Sequence, residues 1–338
     1  MKKIYFAVVS FLVIVIVLVS SFIYWFKKEM GPVAYTSEKV SFIVPEGKSA
    51  SQVGELLFKE NLIKNPLVFK LYVRLVNKTK NINSGEFELS RSMSVSEIVN
   101  ALGKGPRELW VTIPEGLRKE EIVEKIIKAL GMDKENSDKF RNEFLSLSNE
   151  SEGYLFPDTY LFPADVSPQL VFAKLTLTFD EKYTQGLEGF MKNAKFTKNE
   201  IVIMASILER ETKGMEEKPV VAGILWKRIE NDWPLQIDAT VQYAIANSQP
   251  TTNNLQQKDW WLILSLSDLN IDSTYNTYKY KGLPPAPICN PGLASLQAAA
   301  NPQSSEYWFY IHSDDGQIHY AKTSEEHAAN VRKYLGKY

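Results

Sequence analysis

Ala205-Ser206-Ile207-Leu208-Glu209-Arg210-Glu211-Thr212 ends an otherwise apolar helical run with two carboxylates, and the second half of the chain is read outward from it. Thr197 and Glu200 have the spacing of a capping box. They start a helix near Lys198 and place Ile201, Met204 and Leu208 on one apolar face. Glu211 continues that face. Residues three and four positions back are helical neighbours, so Glu211 meets Leu208 and Ile207, whereas Glu209 meets Ser206 and Ala205. A carboxyl pressed on apolar surface loses solvation of its charged form. Its pKa rises toward the range that a general acid needs near neutral pH. Lys213 follows Glu209 by four residues in the favourable orientation, so Glu209 reads as a solvated ion-pair residue. A glutamate beside an apolar helix face is, taken alone, more often structural than catalytic.

The run from Ile4 to Phe26 contains 23 residues without a charge, framed by Lys2-Lys3 and Lys27-Lys28. That length spans a bilayer with some tilt. It ends in Tyr24-Trp25-Phe26 instead of a small-residue cleavage site, so residues 4–26 read as a retained transmembrane anchor. Cys289 is the only cysteine, which excludes an intrachain disulfide and leaves no lipoprotein acceptor near the N-terminus. Lysines flank both ends of the span equally. With 312 residues after Phe26, the bulk of the chain is expected on the outer side of the membrane. That length accommodates two compact domains with sizeable cores. A net charge of −1 and the lack of long basic runs give no nucleic-acid footprint. Aromatic residues make up 12% and gather in the second half, where they suit sugar-ring stacking as well as a core.

Residues 27–39, with the Gly31-Pro32 step, read as a stalk. A repeat follows. Phe42-Ile43-Val44-Pro45-Glu46-Gly47 leads into Val53, Leu56 and Leu57, and Val111-Thr112-Ile113-Pro114-Glu115-Gly116 leads into Ile122 and Ile126, at an offset of 69 residues. Each copy predicts strand, turn and amphipathic helix, and Glu86 to Leu89 before Met93 to Val99 is a weaker echo. Pro-Glu-Gly is also simply a good turn. Ser146 to Glu152 reads as a loop. Pro157 and Pro163 argue against helix around Gly153 to Tyr160. Ser167 and Pro168 begin a helix reaching about Asn193. Pro219 fits the first turn of another, with Val221, Ile224, Leu225 and Ile229 as its buried stripe. Asp238 or Thr240 can cap the next one. Ser273 to Pro302, rich in proline, reads as loop. Tyr307 to Ile311 and Gln317 to Ala321 predict a hairpin around Asp314-Asp315-Gly316 before a terminal helix.

Several chemistries lack their residues. Gly103-Lys104-Gly105 is not a dinucleotide loop, no P-loop occurs, and no Gly-x-Ser-x-Gly elbow is present. His312, His319 and His327 lie seven and eight apart on different predicted elements, so neither a metal nor a cofactor is expected. What remains is a carboxyl acid among polar loops. Glycoside cleavage fits it best, since protonating a glycosidic oxygen needs a carboxylic acid of raised pKa beside a sugar-binding groove. Asp238 is the candidate second carboxylate, with a helix cap as its equal alternative. If no partner carboxylate stands across the bond, the sugar's own hydroxyl attacks and one residue serves as acid and then base.

Ala205 to Thr212, Leu235-Gln236-Ile237-Asp238-Ala239-Thr240, Tyr275-Asn276-Thr277-Tyr278, Gly282 to Ile288 and Asn290-Pro291-Gly292 together resemble the YceG-like family, whose members are endolytic murein transglycosylases of bacteria. The resemblance extends to Glu152 to Tyr160, to His319 and His327, and to the anchor. It implies an α+β protein: a transmembrane helix, a small LysM-like α/β module at 40–108, and a mixed α+β catalytic domain with a helical core at 109–338. It also implies a single-pass protein of the bacterial inner membrane, active on the periplasmic side. Such a protein cuts peptidoglycan glycan strands between N-acetylmuramic acid and N-acetylglucosamine, leaves 1,6-anhydro ends and terminates nascent strands. Cell-wall synthases are the protein partners such a role suggests. The family's essential glutamate falls on Glu211. Gln236, Asp238, Asn276 and Tyr278 match motif positions and are expected to line the groove or hold its loops. Ala239 and Ala286 stand where the family commonly has Pro and Gly, which touches loop shape and removes no acid or base. The alternatives are a lysozyme-like hydrolase and a membrane-anchored scaffold that binds glycan without cutting it.

Overall fold

The computed structural model describes residues 2–36, 38–45, 47–78, 82–105, 108–191, 195–248 and 259–336. It is a mixed α+β chain. In order run α1 (Lys2–Glu29), β1 (Lys39–Val44), α2 (Ala50–Lys59), α3 (Pro66–Leu75), β2 (Gly85–Ser90), α4 (Val95–Lys104), β3 (Glu108–Thr112), α5 (Lys119–Leu130) and α6 (Lys134–Leu147). Then come β4 (Thr159–Pro163), α7 (Pro168–Met191), α8 (Lys198–Glu211), α9 (Lys218–Glu230), α10 (Asp238–Ser248), α11 (Leu293–Ala300), β5 (Phe309–His312), β6 (Ile318–Ala321) and α12 (Ser324–Leu335). One compact unit comprises Met1–Leu109 with Leu161–Val166, and the other comprises Trp110–Tyr160 and Ser167–Tyr338. β3 and β4 pair as a two-stranded sheet.

In the first unit, Val9–Glu29 is long and apolar enough to cross a membrane and none of it is buried. The helix runs on through Glu29, so the first three residues of the expected stalk are helical; Lys27 and Lys28 sit favourably at its carbonyl end. β1 and β2 are antiparallel, with Phe42 opposite Phe87. Alternation sends Phe42, Val44, Phe87 and Leu89 inward against Val53 and Leu57 of α2, Phe69 and Val73 of α3, and Ile98 and Leu102 of α4. Ser49 with Gln52 and Ser94 with Glu97 form capping boxes at α2 and α4. Glu46 of the first Pro-Glu-Gly lies outside the described residues, while Gly47 there and Gly116 in the second copy both take a left-handed φ, +76° and +77°. A strand and then a helix flank each turn, and the echo corresponds to β2 and α4.

The second unit is built around α8. Ile201 to Leu208 are all buried, so the helix is enclosed on every side and has no solvent face in that stretch, contrary to the expected amphipathic pattern. Phe179, Tyr183 and Leu187 of α7, Val221, Leu225 and Trp226 of α9, Ala239 and Tyr243 of α10, and Leu296 and Ala299 of α11 share its core. Each large side chain so enclosed contributes about 1.5–3 kcal/mol. Thr197 and Glu200 make the reciprocal capping box. α11 corrects the loop expected over Ser273 to Pro302: between Pro291 and Pro302 the chain holds no proline, and Leu-Ala-Ser-Leu-Gln-Ala-Ala-Ala there is a strong helix former. α6 likewise extends through Leu147, two residues into the loop expected from Ser146.

Asn290 ties the loops under α8 together. Its Oδ1 accepts from the amides of Gly153 and Leu155, both at 2.9 Å, while its Nδ2 donates to Leu117 O at 3.0 Å and Glu152 Oε1 at 2.7 Å. The second Pro-Glu-Gly turn is held by the same residue, since Gly116 N donates to Asn290 O at 2.9 Å. Gly153 admits no side chain, as a Cβ there would fall 2.6 Å from Pro287. Glu152, read from sequence as part of a polar loop, is buried, and burial pushes its carboxyl up to about 8.

Candidate active site

α8 delivers its two terminal glutamates to different surroundings. Glu209 is only 9% exposed and pairs with Lys218 Nζ at 3.2 Å. It also accepts from Gly292 N at 2.9 Å and Ser295 Oγ at 2.8 Å, so both of its oxygens are engaged. The surface pair expected with Lys213 does not form. The helix ends at Thr212, which is extended (φ −120°, ψ 143°), and residue 213 therefore does not lie one helical turn above 209.

Glu211 faces a cleft of about 400 Å³ lined by Glu211, Arg228, Gln236, Asp238, Tyr278 and Tyr310, with Phe309, Ile311 and His327. Tyr310 Oη donates to Glu211 Oε2 at 3.0 Å. Burial pushes the Glu211 carboxyl up to about 7; the negative charge of Asp238 adds to the rise, while the Tyr310 hydroxyl and the cations of Arg228 and Arg210 oppose it. A carboxyl at that value can hold or release a proton near neutral pH. The hairpin that carries Tyr310 is fastened beside the acid. His312 Nε2 lies 2.8 Å from Glu217 Oε2, and Oε1 of Glu217 accepts the amides of Lys213 and Gly214 just after α8.

Three of the four groove residues expected from sequence reach the cleft. Asp238 is the first residue of α10; its Oδ1 accepts the Tyr278 hydroxyl at 2.6 Å, so this carboxylate faces the cleft and the capping role falls away. Thr240 is no cap either, since its hydroxyl donates to Ile237 O at 2.7 Å from within the helix. Gln236 lines the cleft, and its backbone amide donates to Thr277 O at 3.1 Å. Asn276 does not line it. It is wholly buried, donating from Nδ2 to Leu269 O and Ile271 O at 2.9 Å and accepting from Tyr278 N at 3.0 Å. It holds the loop that presents Tyr278.

Arg228, Phe309, Tyr310 and Ile311 are cleft residues that sequence reasoning did not single out. Arg228 carried a signal: it falls one turn beyond Ile224 and Leu225, on the stripe expected to be buried. Its Nε and Nη2 donate to Trp308 O at 3.0 and 2.7 Å and its Nη1 to Leu235 O at 2.6 Å. His327 stacks on Phe309 with centroids 5.1 Å apart, and burial followed by the Arg228 charge lowers its pKa. His319 instead stacks on Tyr334 at 3.6 Å. Among the described residues, no group of three His, Cys, Asp or Glu is placed to hold a metal ion.

A family model described as the YceG-like family matches residues 42–333. A Bacillus subtilis protein named endolytic murein transglycosylase is 28% identical, over 91% of this chain and 89% of its own length. A Streptococcus pneumoniae protein of the same name is 27% identical over 90% of this chain, which spans 60% of that longer protein. The crystal structure of a YceG-like protein from Listeria monocytogenes superposes with a TM-score of 0.54 at 28% identity, covering 87% of this chain and 99% of the other.

Proposed function

The chain belongs to the YceG-like family, and from that premise we propose that it is a peptidoglycan lytic transglycosylase that cuts glycan strands within their length. One observation carries the reading: Glu211 is a carboxyl raised to about 7, opening on a polar cleft and met by a tyrosine hydroxyl. A glycan-binding scaffold has no use for such a group, which costs stability whenever it ionises.

In the proposed mechanism, protonated Glu211 gives its proton to the oxygen between C1 of N-acetylmuramic acid and the next sugar. The C1–O bond breaks and positive charge develops at C1, which the Asp238 carboxylate in the same cleft stabilises. The C6 hydroxyl of the same sugar closes on C1, and its proton passes to the Glu211 carboxylate. The acid is regenerated and no water is consumed. The products are a 1,6-anhydro end and a free hydroxyl on the leaving strand.

Asp238 also favours a second reading. A second carboxylate sharing the cleft with the acid suits a hydrolase that cuts the same bond with water, the carboxylate acting as the base that activates it, as in inverting glycosidases. Its Tyr278 hydrogen bond at 2.6 Å supports a charge-stabilising role over that of a base, because the donor stabilises the ionised form and weakens its pull on a proton.

The membrane-length helix supports anchoring in the bacterial inner membrane with the second unit on the periplasmic side, where nascent strands lie. We assign glycan binding to 40–108 as a LysM-like module; an antiparallel strand pair with two helices between its strands supports it. Residues 109–338 then form the catalytic domain, Gln236 and Tyr278 contact the strand, and synthases would supply it. The direct test is substitution. Glu211→Gln abolishes strand cleavage in a folded protein while Glu209→Gln, once folded, retains it; the reverse result would move the acid to Glu209.

A further inference from the structure

Trp233, Trp308 and Phe309 form a cluster that the core does not use. The rings of Trp233 and Trp308 are 5.0 Å apart, and Phe309 meets Trp233 edge to face at 5.6 Å. All three are half-buried, and none packs against the hydrophobic core around α8. Phe309 lines the acid cleft, so the cluster begins at the cleft wall.

Its scaffold is rigid. Arg228 is buried and spends three donor contacts on Trp308 O and Leu235 O, with its guanidinium carbon 5.6 Å from the Phe309 ring and 5.9 Å from the Trp233 ring. Trp233 N donates to Arg228 O at 2.8 Å. The segment Trp233-Pro234-Leu235 is bracketed by Asp232 (φ +55°) and Gln236 (φ +56°), two side-chain-bearing residues in the left-handed region. At Asp232 this is the usual close of a helix, since Asp232 N donates to Ile229 O at 3.1 Å and Trp233 N to Arg228 O at 2.8 Å in a Schellman pattern at the end of α9; at Gln236 no such cap explains it, and backbone strain of that kind gathers at binding sites. Asp232 is tied to Lys281 at 2.5 Å, and Gln236 is itself a cleft residue. One turn, fixed by the end of α9, therefore presents a large aromatic at one end and a polar cleft residue at the other.

We infer that Trp233 and Trp308 form a saccharide subsite extending the acid cleft. It takes the C–H face of an N-acetylhexosamine ring a short way along the strand from the bond that is cut. A pyranose has an apolar face that matches an indole, and two fixed half-open rings bind it without paying for their own ordering. The subsite rests on the glycan-cleaving reading above.

The test uses the full chain in detergent carrying Glu211→Gln, with peptide-free glycan oligomers as the probe. Trp233→Ala weakens oligomer binding about tenfold, equivalent to ~1.4 kcal/mol, and Trp233→Phe recovers most of it. In the otherwise unaltered enzyme, Trp233→Ala raises KM and leaves kcat in place. Hydroxyl-radical footprinting of the Glu211→Gln chain needs no change in the aromatic cluster and decides the matter even if Trp233→Ala does not fold: bound glycan shields Trp233 and Trp308 from oxidation. Glycan binding with both tryptophans unshielded, or a folded Trp233→Ala chain of unchanged affinity, overturns the subsite alone. A Glu211→Gln chain that binds no glycan overturns the glycan reading and the subsite with it.

Discussion

The hydroxyl of Tyr310 lies 3.0 Å from Oε2 of Glu211, so a strand of the C-terminal hairpin reaches the last residue of the buried helix. The bond holds Oε2 against the hairpin. It also stabilises the ionised form. Tyr310→Phe is therefore expected to raise the Glu211 pKa further, moving the alkaline fall in kcat/KM to higher pH while lowering kcat about tenfold. A pH–rate profile of the variant checks both; an unmoved alkaline limb would remove Tyr310 from the acid's surroundings.

Glu211 titrates in a sense opposite to that of a salt-bridged carboxylate. Its folded pKa, about 7, lies above the ordinary value of 4.5, so the folded state holds the proton more tightly. Its contribution is fully present below the unfolded value and is lost as pH rises through about 7. Two consequences are measurable. Activity falls above that pH as the acid loses its proton, and Glu211→Gln raises Tm more at alkaline than at acidic pH. A Tm difference independent of pH would contradict the raised pKa.

Glu209→Gln is expected to harm folding and spare chemistry. It leaves Lys218 buried without its carboxylate, at a cost of about 3 kcal/mol. Combining it with Lys218→Met recovers part of that loss, because the buried cation is removed together with its partner. Denaturant unfolding reads the stability, and the alkaline limb of the pH profile stays where the wild-type chain has it.

Asn290→Ala removes the acceptor of Gly153 N and Leu155 N and a donor to Glu152 in one step. Several buried groups lose their partners, so roughly 3 to 4 kcal/mol of stability is lost. Unfolding measurements on the full chain, followed through aromatic signals of the second unit, test this.

Helical period and capping residues made α8, α9 and the hairpin legible from sequence, down to the Thr197–Glu200 box. Less legible was whatever depends on residues remote in sequence. Whether Glu209 meets Lys213 or Lys218 turns on the extended Thr212, and a four-residue spacing rule presumes a continuous helix. Asn276 and Asp238 share the polar character of groove residues, yet one is spent inside its loop and the other faces the cleft. Arg228 was the clearest signal passed over: a charge on a buried stripe requires partners, and here backbone carbonyls supply them. Tyr310 offered none, since alternation along a strand does not say what packs on it.

One acid, Glu211, is proposed to cut the strand without water. Digestion of purified glycan strands by the full chain in heavy-oxygen water, read by mass spectrometry of the new ends, distinguishes this from hydrolysis. Anhydro ends free of heavy oxygen, formed by the wild-type chain and absent with Glu211→Gln, are the expected result. Heavy oxygen in the new ends, or cleavage that survives Glu211→Gln, would contradict it.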